Sequence, residues 1–504
     1  MSYTTLRPEP FFNRTQELAA FERAYNTRGS GGQLALLYGR RRLGKTFLLQ
    51  RFCTTGSENS DNADTSKAHC YYLAEQTTQA TQRLALAIQL LDALPDEGVT
   101  AEEISVSWNA LFRFVAQAAA RTRPVSSGRF VLILDEFGYL AEQSPELPSV
   151  LQAWWDREGN QTPLMLVLCG SQLSLMASLG AQSAPLFGRF NAGVQVLHPL
   201  RYDDVAAFYR NSPLYSREDI LLMYGILGGT PRYHALVDTT RPLAEEVVEL
   251  LLRPRAVLEN EARFLLSSEQ IRDPAPYNAV LGAIAGGETQ FNTIQQKTGV
   301  DKNNLSFYLN TLQDLGWIRR EVSIGDASER RALYQTADPF LAFWYRFVAP
   351  SASALQFSDP RTFYENRIAP HLAQYMGWHV FESICMQWLQ RHAQERLGLT
   401  LNRLGRYWSR DGQTEIDIMA EQEGGDWVFG ECKWSAGSPI GLSVYSKLQA
   451  KIAGLPEAKW RVAPTYLLFS LGGFTPELYT LATYPNERLH LISGEDLLPM
   501  PGKN

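Results

Sequence analysis

Cysteine is scarce in this chain. Its 504 residues include only five cysteines, namely Cys53, Cys70, Cys169, Cys385 and Cys432. No two of them have the C-x-x-C spacing, and two fall inside predicted strands. The pattern therefore argues against a disulfide framework and against a cysteine zinc site.

Long apolar runs are also missing. A membrane-spanning helix needs about 18 or more consecutive apolar residues, and no stretch of this sequence approaches that length. The amino-terminal residues lack the basic and then apolar pattern of a signal peptide. We therefore expect a cytoplasmic protein with no membrane segment. The chain is too long for a single core, and roughly 150 residues per domain predicts about three domains.

An excess of positive charge is absent as well. The formal net charge is -6 and the sequence pI is about 5.8, so no global positive field draws the protein onto nucleic acid. Any contact with DNA must be local. The candidate basic patches are the arginines at 40–42, at 319–320 and at 330–331.

The sequence does contain a complete phosphate-binding loop of the form G-x-x-x-x-G-K-[ST]. Its residues are Gly39, Arg40, Arg41, Arg42, Leu43, Gly44, Lys45 and Thr46. A short apolar run precedes the loop and a segment with helical spacing follows it, which is the context that the motif requires. We expect the loop to bind ATP, with Lys45 at the β- and γ-phosphates and the Thr46 hydroxyl as a ligand of Mg²⁺.

A second apolar run, residues 130–134, ends in Asp135 and Glu136. This pattern predicts a buried central strand of a parallel sheet that delivers both carboxylates to its carboxyl-terminal edge. Asp135 is then placed to hold Mg²⁺ through water. Glu136 is the candidate catalytic residue that polarises the attacking water.

Further candidates for the nucleotide site follow downstream. A third predicted strand ends in Ser171 and Gln172, either of which could sense the γ-phosphate, although ordinary strand termination explains them nearly as well. Arg189 and Arg232 lie at sharp turns and could contact phosphate in the same subunit or across a subunit boundary. A lone surface arginine is more often simply solvated. Pro231, in the second of these turns, completes the candidate set.

The middle of the chain predicts helices and then a small hairpin. Residues 200–264 have the helical spacing of a lid behind a nucleotide fold. Residues 277–336 predict three helices and two strands, the pattern of a winged helix-turn-helix. The helix in the recognition position offers polar residues for phosphates or base edges, namely Lys302, Asn303, Asn304, Ser306 and Asn310. Many winged helices contact only proteins, so both kinds of partner stay open.

Two alternating strands near the carboxyl terminus carry acids and a lysine. Glu431 and Lys433 are two residues apart and share one face of their strand, and Asp417 on the hairpin partner can lie beside them. Asp417 and Glu431 could ligate a divalent ion, and the three residues together could cleave a phosphodiester. The E-x-K triplet alone is usually a surface ion pair.

Neighbouring helices could add to this group. Glu382, on the predicted helix 373–390, is a further acid candidate. Gln449 or Lys451, on the following helix, could supply another polar contact.

The order of these motifs resembles that of the archaeal-type P-loop ATPases of bacteria and archaea, a branch near the STAND and AAA+ ATPases. The resemblance rests on the phosphate loop, the acids at 135–136, the pairs at 170–171 and 188–189, and the turn at 228–231. The family's carboxyl-terminal restriction-endonuclease-like domain (DUF234 type) is similar to residues 405–451. By this resemblance Asp417, Glu431 and Lys433 match the PD-(D/E)xK triad.

We therefore expect an α/β protein with four parts. They are a P-loop ATPase core with a parallel sheet at 1–199, a helical lid at 200–272, a winged helix at 273–348 and an α/β restriction-endonuclease-like domain at 349–504. The expected function is an Mg²⁺-dependent ATPase whose nucleotide state controls action on DNA in defence or mobile-element biology. The alternative is a nucleotide-dependent switch or scaffold with an inactive nuclease-like domain. Both interpretations allow a homo-oligomer.

Overall fold

The computed structural model describes residues 12–29, 31–54, 66–121, 128–269, 271–326 and 331–500. The chain divides into two compact units, Met1–Pro199 and Leu200–Asn504. Among the described residues, none of the helices combines the length and the apolar character that crossing a bilayer requires. Arg330, one of the candidate basic residues, lies outside the described residues.

The first unit is built on a five-stranded parallel sheet. Its strands are β1 (Gln33–Tyr38), β2 (His69–Leu73), β3 (Phe130–Asp135), β4 (Leu164–Gly170) and β5 (Val194–Val196), in the order β2-β3-β4-β1-β5. Every residue of β3 and β4 is buried. Helices cover both faces, which is why these two strands are continuously apolar rather than alternating. The predicted central strand and the α/β class are confirmed.

Helices of the first unit connect the strands and cover the sheet. The α-helices are Thr15–Tyr25, Lys45–Thr54, Gln79–Ala93, Ala101–Ser105, Trp108–Arg121, Phe137–Gln143, Leu147–Arg157 and Leu173–Leu179.

The second unit contains two sheets. Strands β6 (Ile318–Glu321) and β7 (Leu333–Thr336) form an antiparallel hairpin, which we call the wing hairpin. The larger sheet has the strand order β12-β11-β10-β9-β8. Its strands are β8 (Leu401–Trp408), β9 (Glu415–Gln422), β10 (Trp427–Lys433), β11 (Thr465–Ser470) and β12 (Leu489–Ser493). The pairs β8–β9 and β9–β10 are antiparallel, whereas β10–β11 and β11–β12 are parallel.

Three helices precede the wing hairpin where the sequence predicts them, Ala275–Ala285, Phe291–Thr298 and Lys302–Asp314. The third begins after Asp301, whose carboxylate accepts the N–H groups of Asn303 and Asn304 at 3.0 and 3.2 Å. This cap satisfies two donors that the first turn of a helix leaves without partners.

The other α-helices of the second unit are mostly short. They are Tyr202–Val205, Arg217–Leu227, Pro231–His234, Leu243–Val247, Glu261–Ser268, Pro339–Phe343, Ala352–Leu355, Pro360–Phe363, Leu372–Tyr375, Phe381–Leu397, Leu442–Ala453, Pro476–Ala482 and Gly494–Leu497. Single π-helical turns interrupt them at Val248–Leu252, Trp344–Val348, Tyr364–Ile368 and Met376–Val380. The predicted helix 373–390 is therefore broken, and its regular part is Phe381–Leu397.

Candidate functional site

The phosphate loop lies between β1 and the helix Lys45–Thr54. Two of its residues, Arg42 and Gly44, have the left-handed φ angles of 68° and 88°. Gly39 lies so close to the backbone that a Cβ atom would be 2.4 Å from the carbonyl oxygen of Leu197. A glycine is therefore required at the start of the loop, because any side chain there would collide with the backbone of Leu197.

Lys45 is buried inside this loop. Its Nζ atom donates hydrogen bonds to the carbonyl oxygens of Gly39 and Arg40, at 2.7 and 3.1 Å. Burial lowers the pKa of Lys45, and the nearby acids Glu136 and Asp135 act against that decrease. The side chain is held at the loop by neutral acceptors that a charged phosphate can outcompete.

The carboxylate of Asp135 lies next to the loop. Thr46 Oγ1 donates to Asp135 Oδ2 at 2.9 Å, and the backbone N–H of Glu136 donates to Oδ1 at 2.9 Å. The hydroxyl of Tyr71, on β2, also donates to Oδ2. Burial and the adjacent Asp135 raise the pKa of Tyr71, so the hydroxyl stays protonated and remains a donor.

Tyr71 is a site residue that the sequence analysis missed. It is 64 positions from Asp135 in sequence. The contact exists because β2 pairs with β3 in the register that places Leu73 opposite Asp135. Sequence spacing carries no signal of that pairing.

Glu136 is held by Ser171. Ser171 Oγ lies 2.8 Å from each carboxylate oxygen of Glu136, and the backbone N–H of Ser171 donates to Oε2 at 3.2 Å. Glu136 itself has the left-handed backbone angles φ 52° and ψ 43°. Gln172 instead donates to Glu142 at 2.6 Å. Of the two candidates after β4, Ser171 contacts Glu136 and Gln172 contacts Glu142.

Other residues brace the loop. Arg41 donates to the hydroxyl of Tyr139 at 2.8 Å. Leu43 is buried, and its carbonyl oxygen accepts a hydrogen bond of 3.4 Å from Arg14. Arg14 also donates to the carbonyl oxygen of His198 at 2.8 Å, and this bracing role had no sequence signal.

The structure does not bring Arg189 to the phosphate loop of its own chain. Arg189 holds Asp156 with two hydrogen bonds of 2.8 and 2.7 Å. Its neighbour Asn191 accepts the N–H of Leu34, at the beginning of β1, whereas the loop follows the other end of β1. The six residues of β1 separate its two ends by about 17 Å. A phosphate contact of Arg189 is not formed in this arrangement, and its contact with nucleotide, within the subunit or across a subunit boundary, stays a prediction.

Pro231 belongs to the second unit. It begins the short helix Pro231–His234, directly after the turn that contains Gly228 at φ 66°. Arg232, the next residue, is exposed. A nucleotide contact of either residue stays a prediction.

The acids Asp417 and Glu431 and the base Lys433 lie close together in the larger sheet of the second unit. Asp417 Oδ2 accepts the backbone N–H of Cys432 at 2.8 Å, and Lys433 Nζ donates to Glu431 at 2.7 Å. Gly430 lies opposite Ile418 in the β9–β10 pairing, and this register continues to bring Asp417 beside Glu431. Burial and the charge of Glu431 raise the pKa of Asp417.

Two helices add polar groups to this acid cluster. Lys451 Nζ donates to the second oxygen of Glu431 at 2.8 Å. Gln449 forms side-chain hydrogen bonds with Tyr445 and Tyr466 instead. Lys451 therefore supplies the contact predicted for the helix Leu442–Ala453. Glu382 forms an ion pair with Arg406 at 3.1 Å. Burial raises the pKa of Glu382 to about 8, although Arg406 opposes the increase.

The donor chemistry of the cluster suits a hard divalent cation. Glu382, Asp417 and Glu431 offer carboxylate oxygens, which Mg²⁺ and Mn²⁺ prefer. Yet within the described ranges no three His, Cys, Asp or Glu side chains are arranged as a ready-made metal site. Both oxygens of Glu431 are engaged by lysines. A cation at this site would share the Glu431 oxygens with these lysines or displace one of them.

The parallel sheet, the phosphate loop after its first strand and the acid pair at the end of β3 define the first unit as a P-loop ATPase. Residues 11–237 match the family described as an ATPase domain predominantly from Archaea. Residues 344–450 match a family described as archaeal and bacterial proteins of unknown function. The predicted resemblance to archaeal-type ATPases that carry a DUF234-type domain is thus confirmed, whereas the restriction-endonuclease-like character of that domain stays a prediction.

Individual relatives were also found. The chain is 27% identical over 430 residues to an uncharacterized protein of Methanocaldococcus jannaschii, covering 84% of this chain and 87% of that protein. A Walker-type ATPase of Pyrococcus abyssi has a TM-score of 0.49 and 21% identity, over 68% of this chain and 98% of that chain. The Orc2 protein of Aeropyrum pernix, solved with ADPNP and ADP, has a TM-score of 0.45 and 16% identity, over 71% and 98% of the two chains.

Proposed function

We propose that the first unit hydrolyses ATP in an Mg²⁺-dependent reaction. Lys45 would bind the β- and γ-phosphates, and Thr46 and Asp135 would hold the metal ion, directly and through water. The observation that carries the proposal is the 2.9 Å contact between Thr46 Oγ1 and Asp135 Oδ2, immediately beside Lys45. Two oxygen ligands and one ammonium group thus converge where the loop would hold phosphate. Bound Mg²⁺ would neutralise charge on the phosphates.

Glu136 would orient and deprotonate the attacking water. In the described arrangement both of its oxygens lie within hydrogen-bonding distance of Ser171. Each carboxylate oxygen has a second lone pair, so Glu136 can accept a hydrogen bond from water while Ser171 holds it. A γ-phosphate is a strong acceptor and would compete for the Ser171 hydroxyl, which supports the sensing role of this residue.

Two variants test the nucleotide site. Lys45→Ala should weaken ATP binding, because the loop loses its ammonium group. Glu136→Gln should bind ATP but hydrolyse it about 100-fold or more slowly, since an amide cannot act as a base. Binding is measured with a fluorescent ATP analogue and hydrolysis by phosphate release. Glu146→Gln, at an exposed glutamate of the same unit, is the matched control. Wild-type turnover in Glu136→Gln would refute the role of Glu136.

A second activity is supported by the acid cluster of the second unit. We propose that Asp417 and Glu431 hold a divalent cation, that Lys433 stabilises the charge of a cleaved phosphodiester, and that the nucleotide state of the ATPase controls this reaction. The specific observation in favour is the convergence of these three residues on two buried strands. DNA is the proposed substrate. The alternative is a nucleotide-dependent switch whose second unit only binds a partner.

Cleavage assays separate these two possibilities. The full chain is incubated with linear, supercoiled and single-stranded DNA and with RNA, with Mg²⁺ or Mn²⁺, and with or without ATP. Asp417→Ala should abolish cleavage and leave ATP hydrolysis nearly unchanged. Asp426→Ala, in the exposed β9–β10 turn, should cleave as the wild type does. Cleavage that persists in Asp417→Ala would rule out the triad, and no cleavage by the wild type would favour the switch.

A further inference from the structure

Arg406 is a buried cation shared by three carboxylates. It lies on the edge strand β8 and is 9% exposed. Its guanidinium contacts Glu382 at 3.1 Å, Glu321 at 3.4 Å and also Glu415. These acids come from three different elements, namely the helix Phe381–Leu397, the wing strand β6 and the strand β9. One side chain therefore ties the wing hairpin to the acid cluster.

The segment after β6 is built into the larger sheet. Ile324 donates its backbone N–H to the carbonyl oxygen of Arg406 at 2.9 Å. Ser323 Oγ exchanges hydrogen bonds of 3.0 and 2.9 Å with the backbone of Trp408. Ile324 is 3% exposed and belongs to the same core cluster as Trp460. The segment directly after β6 thus lies on the edge of β8, and a displacement of Ser323 and Ile324 would move the strand that carries Arg406.

The chemistry of Arg406 fits a positioning role. Lys433 and Lys451 both form ion pairs with Glu431, whereas the Arg406 guanidinium forms an ion pair with Glu382. A guanidinium presents several donors in a rigid fork, so it can hold several carboxylates in fixed directions at once. A lysine ammonium at the same position would lack that planar geometry. Removing the cation would also leave the partly buried Glu321 and Glu382 to repel each other.

We propose that Arg406 is a positioning residue of the acid cluster. It holds Glu382 beside Asp417 and, through Glu321, makes the geometry of the candidate metal ligands depend on the position of the wing hairpin. The proposal rests on the proposed function of the cluster as a divalent-cation site. A partner that moves the wing hairpin would thereby change how well the cluster binds its cation.

Binding of Mn²⁺ to the full chain, without nucleotide, tests this proposal. Mn²⁺ affinity is measured by calorimetry, and the electron paramagnetic resonance spectrum reports the surroundings of the bound ion. The difference in Mn²⁺ binding between wild type and Asp417→Asn identifies the Mn²⁺ that is bound at the acid cluster. Removing an outer partner of a metal ligand typically costs about 10- to 100-fold in affinity, which is the decrease expected for Arg406→Lys. Glu321→Gln removes no candidate ligand and should shift affinity in the same direction.

Controls make the outcomes distinct. Glu423→Gln, at an exposed glutamate after β9, should bind Mn²⁺ as the wild type does. Thermal unfolding reports whether each variant is folded, and if Arg406→Lys is not folded, Glu321→Gln decides the question. Wild-type affinity and spectrum in a folded Glu321→Gln and Arg406→Lys would overturn the proposal. If wild type and Asp417→Asn bind Mn²⁺ equally, the proposed function of the cluster fails and this proposal fails with it.

Discussion

The Ser171 hydroxyl lies 2.8 Å from both carboxylate oxygens of Glu136. The two residues directly follow the neighbouring parallel strands β4 and β3, so the sheet itself brings them together. Ser171 therefore helps to fix the position of the candidate catalytic carboxylate. The Ser171 hydroxyl and its backbone N–H both donate to this carboxylate, whose residue has the left-handed backbone angles φ 52° and ψ 43°.

Replacing Ser171 should therefore slow ATP hydrolysis. Ser171→Ala is expected to lower the rate of ATP hydrolysis by about 10- to 100-fold, the worth of a hydrogen bond to a charged group, with little change in ATP affinity. Ser171→Thr keeps the hydroxyl and should retain most of the activity. Ser178→Ala, at an exposed serine of the following helix, is the control. Steady-state phosphate release is the measurement, and an unchanged rate in Ser171→Ala would contradict the prediction.

Tyr71 should affect the metal dependence of the same reaction. Tyr71→Phe removes one of the donors that hold Asp135 Oδ2, so the Mg²⁺ concentration at half-maximal hydrolysis should rise, by about 10-fold. ATP affinity without Mg²⁺ should stay at the wild-type value. Tyr72→Phe is a matched control, because the adjacent Tyr72 hydroxyl donates to Gln82 instead. Equal Mg²⁺ dependence in the two variants would show that the Tyr71 hydroxyl does not affect metal binding.

The helix Lys302–Asp314 can be tested for DNA contact by salt dependence. Lys302 is exposed at its first turn. If its ammonium group binds a DNA phosphate, Lys302→Ala should reduce the slope of log affinity against log salt by about 0.9. Arg319 already contacts Glu321 and Gln335, so Arg319→Ala should change the slope less than Lys302→Ala does.

Fluorescence anisotropy with a labelled duplex measures both slopes. Arg157→Ala, at an exposed arginine of the first unit, is the control. Intact DNA binding with an unchanged slope in Lys302→Ala would assign this helix to a protein contact.

His234 should make the second unit sensitive to acid. Its Nε2 lies 2.7 Å from the carbonyl oxygen of Gly228, which can only accept, so Nε2 carries the proton and Nδ1 accepts from Tyr209 at 2.7 Å. Burial lowers the pKa of His234 from 6.5 to about 4. The unfolded chain therefore binds one more proton between these values. The stability that this group contributes is complete above pH 6.5 and is lost as the pH falls toward 4.

The variant His234→Gln can keep both hydrogen bonds but cannot titrate. Between pH 6.5 and 4 the wild type should lose stability more steeply than this variant, by up to about 1.4 kcal/mol per pH unit. Urea unfolding across this range, compared between the two proteins, cancels the contributions of other groups such as Glu382. His371→Gln, at an exposed histidine, should follow the wild type. Parallel pH profiles for wild type and His234→Gln would contradict the prediction.

Local patterns in the sequence determined much of this protein. The phosphate loop at 39–46 needs only consecutive residues between a strand and a helix, and the acids at 135–136 need only an apolar run before them. Glu431 and Lys433 share a face because side chains alternate along any strand. These features follow from spacings of a few residues, so they were visible without the fold.

Tertiary structure alone decided which side chains meet across the sheets. Tyr71 reaches Asp135 through the pairing of two strands, and Arg189 pairs with Asp156 although its motif follows the nucleotide residues in order. Arg406 is joined to Glu321 over 85 positions of sequence. Such contacts depend on strand order, register and helix packing, which arise from burying apolar surface over the whole unit rather than from any short segment. The sequence therefore predicted the phosphate loop and the acids. It did not predict Tyr71, which donates to Asp135, or Arg406, which contacts Glu382.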